Sequence, residues 1–547
     1  MSTEPRQHDV IIMGGGLAGL TLAMQLRQRL PDLDVLVLER RTHPVPEAAH
    51  KVGESTVEIG AHYFANVLGL KQHLMDAQLK KFGFRFFFSE GREDFDQVTE
   101  LGASRPLPVG SWQIDRGIFE NFLGQEVQRR GIGFTDTALI RELSLAEGDG
   151  LHTVTWQQAG SEPQTAHARW VIDACGRAGL IKKKLGLARE NAHAAHAVWF
   201  RIGERITPDD WSDDPAWQAR VTSPTRWLST NHLVGAGYWV WLIPLASGSH
   251  SVGIVADPRW HPLETMNTFD KAMDWFKQYQ PRLFADLDGK RGTLQDFAFF
   301  RRFSHDCERV FSPQRWALAG EAGRFLDPFY SPGSDFIAIG NTYITELVAR
   351  DRAGHPIAAH ANIYEQVFKT FYDNTLALYV DQYGIFGDPE VLPVKVCWDY
   401  TYYWGVLAQL FFHEGLADLV ALADLRDELG STQQLNLAVQ HFVRAWSGVS
   451  ARRNRPVMLD QASLPWFVEL NGSLHARHDA AGFRATLALN ATRLRQLATE
   501  ILDRALSEHP QLDGSALARA IELAGGPVRG RAPMLFPALA EVEALPA

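Results

Sequence analysis

The sequence at residues 9–19 reads DVIIMGGGLAG. Its apolar run Val10–Met13 ends in glycines, which is typical of a buried parallel strand. A helical pattern follows from Leu17 to about residue 30, and residues 34–38 form a second apolar run. These segments predict a β-α-β unit, so the fold begins as a Rossmann-like α/β domain.

The glycines of this stretch satisfy the pattern G-x-G-x-x-G between a strand and a helix. Gly14 permits the tight turn, Gly16 lets the backbone approach a pyrophosphate, and Gly19 allows close packing of helix on strand. Glu39 follows Gly19 by twenty residues and ends the second strand, where it can accept hydrogen bonds from a ribose. The pattern predicts a dinucleotide site, but it serves NAD and FAD equally.

Composition narrows the class of protein. A chain of 547 residues is too long for one hydrophobic core. Its net charge of −10 gives no general attraction to nucleic acid. The three cysteines are widely separated, which predicts neither a disulfide framework nor a cysteine zinc site, and we expect no bound metal. Four glycines interrupt the apolar stretch Val10–Met24, which therefore predicts neither a signal peptide nor a membrane span, and we expect a cytoplasmic protein.

Later segments extend this organisation. Residues 170–173 and 316–319 predict further parallel strands of the first sheet, so that domain is assembled from distant segments. Aromatic and β-branched runs predict a second, mainly antiparallel sheet that forms a substrate wall; they lie at residues 82–88, 197–202, 237–245 and 250–256. From about Ser334 onward the pattern is mostly helical.

Three further segments favour FAD as the dinucleotide. Gly320-Glu321, after a predicted strand, resembles the Gly-Asp motif that binds the ribityl chain in FAD monooxygenases of the GR2 type. Residues 171–176 resemble their Asp-Ala-x-Gly strand end, and Arg116 resembles their arginine near the flavin. No second dinucleotide pattern follows a strand, so a tightly held nicotinamide is not predicted.

Two motifs carry a more specific resemblance. WVWLIP at residues 239–244 matches the Trp-x-Trp-x-Ile-Pro motif of flavin-dependent halogenases, and FLDPFYSPG at residues 325–333 matches their F-x-x-P-x-x-S-x-G. The likeness to this tryptophan-halogenase-like superfamily covers roughly residues 8–345. It implies that reduced FAD from a flavin reductase, oxygen and chloride or bromide generate hypohalous acid, which reaches a lysine beside an aromatic substrate. Trp239 and Trp241 would keep that substrate away from the flavin.

The resemblance also proposes a catalytic amine. LKKFGFRF at residues 79–86 resembles the family's lysine and the aromatic strand that follows it, with Lys81 in register. Strand alternation would place Lys81 and Arg85 on one face and Phe84 on the other. Lys51 is a second candidate, although its loop, residues 50–56, resembles the family's Gly-Glu-Ser/Ala-Thr loop beside FAD, where Gly53 and Ser55 suit close backbone approach.

Two departures refine the expected substrate and halide site. Tryptophan halogenases carry a glutamate before the serine of the second motif, and Tyr330 stands there instead, which resembles the branch acting on phenols and pyrroles. We expect Ser331 to cap the following helix and Pro332 to be its first residue. The resemblance implies that the halide binds backbone N–H groups just after this serine. Since Pro332 has no N–H, Gly333 and Ser334 would donate instead.

The sequence thus predicts an FAD-binding domain with an inserted, mainly antiparallel substrate sheet and a helical C-terminal region. The expected FAD-binding segments are 1–80, 105–190 and 300–350, the substrate sheet occupies 81–104 and 191–299, and the helical region spans 351–547. The favoured function is halogenation of a phenol, pyrrole or other electron-rich aromatic compound, free or carrier-bound, in secondary metabolism. An aromatic hydroxylase on the same scaffold, or a flavin-binding assembly partner that has lost its chemistry, remains an alternative.

Overall fold

The computed structural model describes residues 5–47, 53–222 and 225–539. Its strands, in chain order, are β1 (Arg6–Met13), β2 (Val35–Leu38), β3 (Leu79–Lys81), β4 (Phe84–Phe87), β5 (Glu100–Gly102), β6 (Ser111–Gln113), β7 (Gly133–Thr135), β8 (Leu139–Ser144), β9 (His152–Gln157), β10 (Gln164–Asp173), β11 (Ala188–Arg189), β12 (His196–Ile202), β13 (Thr230–Gly235), β14 (Tyr238–Pro244), β15 (His250–Ala256), β16 (Leu294–Phe300), β17 (Asp306–Cys307), β18 (Trp316–Leu318) and β19 (Met458–Asp460).

The α-helices follow the same convention. They are α1 (Leu17–Arg29), α2 (Glu58–His62), α3 (Lys71–Ala77), α4 (Arg116–Arg129), α5 (Leu180–Lys184), α6 (Pro215–Gln218), α7 (Phe269–Tyr279), α8 (Pro281–Asp288), α9 (Gly333–Arg352), α10 (Ala358–Leu376), α11 (Leu392–Tyr402), α12 (Gln409–Phe412), α13 (Leu419–Asp424), α14 (Arg426–Ser447), α15 (Pro465–Ser473), α16 (Ala480–Glu508) and α17 (Ser515–Leu523). Two π-helical segments occur, at Tyr63–Val67 and Tyr403–Ala408.

The chain divides into two compact units. Unit 1 contains residues 1–78, 114–191 and 304–372, and unit 2 contains residues 79–113, 192–303 and 373–547. This division differs from the predicted one at its C-terminal end, because residues 373–547 belong to the same unit as the substrate sheet. One contact between this region and the sheet is β19, which pairs in parallel with β5 and so becomes a strand of that sheet.

Unit 1 is built on a mixed sheet in the order β7-β2-β1-β10-β9-β8, with β18 also pairing with β10. Strands β7, β2, β1, β10 and β18 run parallel, whereas β9 and β8 are antiparallel additions. Every residue of β2 and the last four of β1 are buried, as expected for strands covered on both faces. The predicted α/β domain with distant parallel strands is confirmed.

Unit 2 contains an eight-stranded sheet in the order β16-β12-β15-β14-β13-β4-β5-β19. Its neighbours are antiparallel except for the pairs β13–β4 and β5–β19, which confirms a mainly antiparallel sheet. One face is packed by α7 and α8, whose Met273, Phe276 and Leu283 join Val240 and Leu242 of β14 in a buried core. The opposite face carries Trp239 and Trp241.

The predicted strand at residues 82–88 is shorter than expected. Gly83 has φ +82°, which breaks the run, so β4 begins at Phe84 and the lysine-bearing β3 pairs instead with β6 in a separate two-stranded sheet. Among the helices that the structure describes, none has the length and apolar content needed to cross a membrane.

Candidate functional site

The turn between β1 and α1 admits only glycine at two positions. Gly14 has φ +110°, and a Cβ there would lie 2.3 Å from the carbonyl oxygen of Ala174. A Cβ on Gly19 would lie 2.0 Å from the carbonyl oxygen of Gly14. The tight turn and the close approach of helix to strand are therefore both geometric requirements.

Gly16 serves a different purpose. It precedes α1 with extended backbone, and a Cβ there would meet nothing within 4 Å. The first N–H groups of α1 have no acceptor within the helix and carry its partial positive charge. An anionic pyrophosphate can thus approach the backbone at Gly16, so this turn fits the phosphates of FAD.

Glu39 is held against the same turn. Its Oε2 accepts a hydrogen bond from the Gly15 N–H at 2.6 Å, and its Oε1 accepts one from the Arg41 N–H at 2.8 Å. A carboxylate offers about four lone-pair sites, so acceptor capacity remains for ribose hydroxyls. The position suits the adenosine end of the cofactor.

The Gly320–Ala322 turn follows β18 and lies against the start of α1. Gly320 has φ +58°, and a Cβ there would lie 3.0 Å from the Cβ of Ala18. Burial raises the pKa of the Glu321 carboxyl above its ordinary value, although the cations Arg177, Arg116 and Lys182 oppose this shift. Glu321 can thus retain its proton more readily than an ordinary glutamate and donate a hydrogen bond.

The predicted loop and arginine lie together in unit 1. Gly53 has φ +89°, and a Cβ on it would lie 3.0 Å from Nη1 of Arg116. Arg116 begins α4 and donates from Nε to Glu120 Oε1 at 3.1 Å, while Ser55 is buried. The alternative amine, Lys51, lies outside the described residues.

The turn before α9 differs from its prediction. Ser331 does not cap the helix, because it has left-handed backbone with φ 53° and closes the 3₁₀ turn Pro328–Tyr330 through its N–H to the Pro328 carbonyl. Pro332 is the capping residue, and its carbonyl accepts the first helical hydrogen bonds. The expected cap and first residue were therefore wrong by one position.

Gly333 and Ser334 occupy the first turn of α9, where N–H groups lack intrahelical acceptors. A Cβ on Gly333 would meet nothing within 4 Å, so its backbone is accessible to a small anion. Ser334 is buried, and its Oγ would lie 2.2 Å from a Cβ on Gly60. Tyr330 is half-buried, with its ring 4.8 Å from that of Phe329.

Lys81 is a buried lysine on an aromatic surface. Only 5% of Lys81 is exposed, and its Nζ lies 3.4 Å from the centre of the Phe84 ring. The expected alternation, with Lys81 and Phe84 on opposite faces, is wrong, because Gly83 turns the chain between β3 and β4. A solvated surface lysine is excluded, whereas the neighbouring Lys80 is exposed.

An aromatic row crosses unit 2 on one face of its sheet. Register pairs Trp199 with Gly253, Gly253 with Trp241, Trp241 with His232 and His232 with Phe86. Residues paired in this way share a face, so the row runs in line across five strands. His232 is 5.2 Å from the Phe84 ring and 5.0 Å from that of Trp239, centre to centre.

The charge state of His232 follows from this surrounding. Burial, reinforced by the positive charge of Lys81, holds the pKa of His232 well below its ordinary value. Its imidazole is therefore neutral near pH 7. Lys81 and a neutral histidine thus lie beside the aromatic rings of this surface.

The two tryptophans are fixed by separate contacts. Their rings lie 5.7 Å apart on the same face of β14. Trp239 Nε1 donates to the Tyr383 hydroxyl at 3.2 Å, and Trp241 Nε1 donates to Ser251 Oγ at 3.1 Å. A Cβ on Gly253 would lie 2.2 Å from the Trp241 ring, so the indole lies directly over that glycine.

Sequence reasoning missed the contribution of the C-terminal region. Tyr400 is 6.3 Å from Phe84, Trp404 is 4.6 Å from Tyr400, and Phe467 is 4.7 Å from Trp404, centre to centre. The dense aromatic stretch WDYTYYWG at residues 398–405 was a signal that could have located this surface.

Comparison with known proteins agrees with this geometry. Residues 7–233 match the family model described as an FAD binding domain. The flavin-dependent halogenase chlA of Dictyostelium discoideum is 25% identical over 431 residues, which are 73% of this chain and 70% of that protein. The chain is therefore similar in sequence to flavin-dependent halogenases. It is an FAD-dependent oxidoreductase.

Two further relatives define how far this family likeness extends. The 1H-pyrrole-2-carbonyl peptidyl-carrier-protein brominase of Pseudoalteromonas luteoviolacea is 24% identical over 347 residues, which are 61% of this chain and 75% of that enzyme. A crystal structure of a halogenase PltM variant in complex with FAD matches with a TM-score of 0.63 and 16% identity, covering 95% of this chain and 99% of that one. The fold of this chain is thus shared with that halogenase structure along nearly its whole length, including the C-terminal region.

Proposed function

We propose that this protein uses reduced FAD from a separate flavin reductase, oxygen and chloride or bromide to halogenate an electron-rich aromatic substrate. The substrate is a phenol or pyrrole, free or carried by a protein, and the reaction serves secondary metabolism in the cytoplasm. The observation that carries the proposal is Lys81, a buried amine on the face of Phe84 within an aromatic surface.

Lys81 is the proposed group that binds and orients hypohalous acid, and its burial distinguishes it from a solvated surface lysine. When bound, reduced FAD supplies with oxygen the oxidising equivalents that turn halide into hypohalous acid. The Lys81 ammonium donates a hydrogen bond to the oxygen of that acid and so orients the halogen toward the substrate. The ring carbon attacks the halogen, a carbon–halogen bond forms, the oxygen–halogen bond breaks, and hydroxide leaves with the ring proton as water.

The remaining predicted residues support this reaction. The cofactor would be held by Gly14, Gly16, Gly19, Glu39, Gly53, Ser55, Arg116, Gly320, Glu321 and Gly333. The halide would bind the N–H groups of Gly333 and Ser334, which lie in the first turn of α9. Trp239, Trp241 and Tyr330 would restrict direct oxidation of the substrate. The brominase relative, whose name specifies a carrier-bound pyrrole, supports the carrier-tethered alternative.

The reaction is tested with the FAD-loaded protein, a flavin reductase, NADH and either halide against a panel of phenols and pyrroles. We expect a product whose mass spectrum carries the isotope pattern of chlorine or bromine. A product heavier by oxygen alone would identify an aromatic hydroxylase and overturn the proposal.

Replacing Lys81 tests the role of the amine. Lys81→Met keeps the aliphatic stem but removes the charge, so halogenation should fall by at least about 100-fold, while FAD binding and flavin reoxidation persist. Lys80→Met is the matched control, because Lys80 is exposed on the same short strand. Unchanged halogenation in Lys81→Met would remove Lys81 from the mechanism.

A further inference from the structure

The C-terminal aromatic wall consists of Tyr400, Trp404 and Phe467. Tyr400 lies in the last turn of α11, Trp404 lies in the π-helical segment Tyr403–Ala408 that follows, and Phe467 lies on α15. The Tyr400 and Phe467 rings are 5.6 Å apart, and Tyr400 is 6.3 Å from Phe84, the ring on which Lys81 lies. The wall is therefore continuous with the surface that holds the amine.

Trp404 carries a buried donor. The side chain is fully buried, and its Nε1 has no hydrogen-bond partner among the residues that the structure describes. Buried indole N–H groups normally find a partner, so an unsatisfied one requires an explanation. π-helical segments also occur frequently at functional sites.

Gln409 carries a buried acceptor five residues further on. Its Nε2 donates to Ser473 Oγ at 2.9 Å, whereas its Oε1 has no partner within the described part of the chain. Trp404 lies in the π-helical segment, and Gln409 begins α12 directly after it. Both side chains contact α15, Trp404 through Phe467 and Gln409 through Ser473.

We propose that Trp404 and Gln409 bind a hydroxyl group of the aromatic substrate, with the indole N–H donating to its oxygen and the amide oxygen accepting its proton. This inference rests on the proposed function and specifies its substrate as a phenol. A pyrrole N–H cannot accept a hydrogen bond from an indole, whereas a phenol oxygen both accepts and donates. The substrate ring packs against the C-terminal aromatic wall, within reach of the electrophile held by Lys81.

Binding to the oxidised, FAD-loaded protein tests this without turnover. The probes are 1-naphthol and 1-methylnaphthalene, which differ mainly in the hydroxyl, and calorimetry gives their dissociation constants. We expect the native protein to prefer 1-naphthol, and Trp404→Phe to weaken 1-naphthol binding about tenfold, with less than about a twofold change for 1-methylnaphthalene. Equal affinity of Trp404→Phe and native protein for 1-naphthol would overturn the inference.

Two further variants make the result independent of a folding defect. Gln409→Leu should lose the same hydroxyl preference by removing the acceptor. Trp466→Phe is the control, because its indole on the same α15 already donates to the Met534 carbonyl at 3.1 Å, and it should leave both affinities unchanged. Loss of preference in the control would also overturn the inference.

The outcomes separate this inference from the proposed function. Hydroxyl recognition by Trp404 together with an oxygenated product would refute halogenation and leave the binding site intact. Halogenation of phenols by a Trp404→Phe protein with native affinity would refute the binding site and leave the proposed function intact.

Discussion

Gly14 and Gly16 are two residues apart, but an added methyl group is expected to have a different effect at each position. Gly14→Ala combines φ +110° with a Cβ 2.3 Å from a carbonyl oxygen. We expect it to lower the free energy of unfolding of the apoprotein by more than about 2 kcal/mol, because neither the turn nor the backbone of Ala174 can move away without strain. Thermal unfolding without FAD measures this.

Gly16→Ala is the paired control. Its added methyl meets no protein atom within 4 Å, so apoprotein stability should change by less than about 0.5 kcal/mol. The methyl would instead enter the space through which a pyrophosphate approaches, and FAD affinity should fall. Equal losses of apoprotein stability in the two variants would contradict the separate roles assigned to them.

Gly253 provides the surface on which Trp241 lies. In Gly253→Ala the new Cβ would overlap the indole at 2.2 Å and displace it, which should cost about 1–3 kcal/mol of stability. If Trp241 restricts direct oxidation, the ratio of oxygenated to halogenated product should also rise, as measured by mass spectrometry.

Ser251→Ala separates the effect of the Trp241 hydrogen bond from the effect of its packing on Gly253. It removes the hydrogen-bond acceptor of Trp241 Nε1 and leaves the glycine surface intact, so a loss of about 1 kcal/mol is expected with little change in product. A Gly253→Ala protein with native stability and native products would show that the position of Trp241 is unimportant.

Elements with local signals were predictable from sequence. The runs that became β1, α1, β2, β12, β14 and β15 combine apolar or aromatic residues with glycine or proline nearby in the sequence, and the structure confirms them. The break at Gly83 was missed because LKKFGFRF alternates like one strand, and only the positive φ of the glycine separates β3 from β4. Short-range pattern therefore determined the strands but not their continuity.

The candidate site also contains residues that a contiguous motif identifies and residues that only the tertiary structure brings near. Motif spacing drew attention to the glycine turn, Lys81 and both tryptophans, because each belongs to a contiguous stretch. It could not locate His232 or Trp404, since their proximity to the Lys81 surface depends on strand register and helix packing across more than a hundred residues of sequence. Such neighbours are specified by tertiary structure alone.

A buried ion pair within α11 is hydrogen-bonded to Gln440 of α14. Lys395 Nζ donates to Asp399 Oδ2 at 2.6 Å and to Gln440 Oε1 at 2.8 Å, and Gln440 Nε2 donates to Asp399 Oδ1. Lys395→Met should cost about 3–5 kcal/mol, because it leaves a buried carboxylate without its cation. The double variant Lys395→Met, Asp399→Leu should recover at least half of that loss in urea unfolding, and no recovery would refute a charge-pair origin.

For the whole molecule, the C-terminal region completes the substrate sheet. β19 pairs with β5, Asn471 Oδ1 accepts the Val109 N–H at 2.7 Å, and Asp460 accepts two hydrogen bonds from Ser104. A chain that ends at Ser450 should therefore lose cooperative unfolding of unit 2 and aggregate. Expression with native solubility and a native unfolding transition would show that residues 451–547 are independent of that sheet.

Neutral buried histidines should make the protein sensitive to acid. Burial lowers the pKa of His250 from 6.5 to about 3, and burial with the Lys81 charge lowers that of His232. Below about pH 6.5 the histidines of the unfolded chain bind protons that the buried histidines of the folded chain do not. Their contribution to the free energy of unfolding is therefore fully present above that pH and is lost as the pH falls toward 3. At about pH 5, His250 alone should cost about 2 kcal/mol.

His250→Gln tests this dependence because a glutamine oxygen can still accept the Ile206 N–H that now donates to His250 Nδ1. The substitution removes the titrating group from the buried position. The difference in unfolding free energy between about pH 7.5 and about pH 5 should then shrink by about 2 kcal/mol relative to the native chain, whereas His355→Gln at an exposed position should leave it unchanged. If both variants lose the same free energy of unfolding on acidification, carboxylates rather than the buried histidines of the sheet determine the stability at low pH.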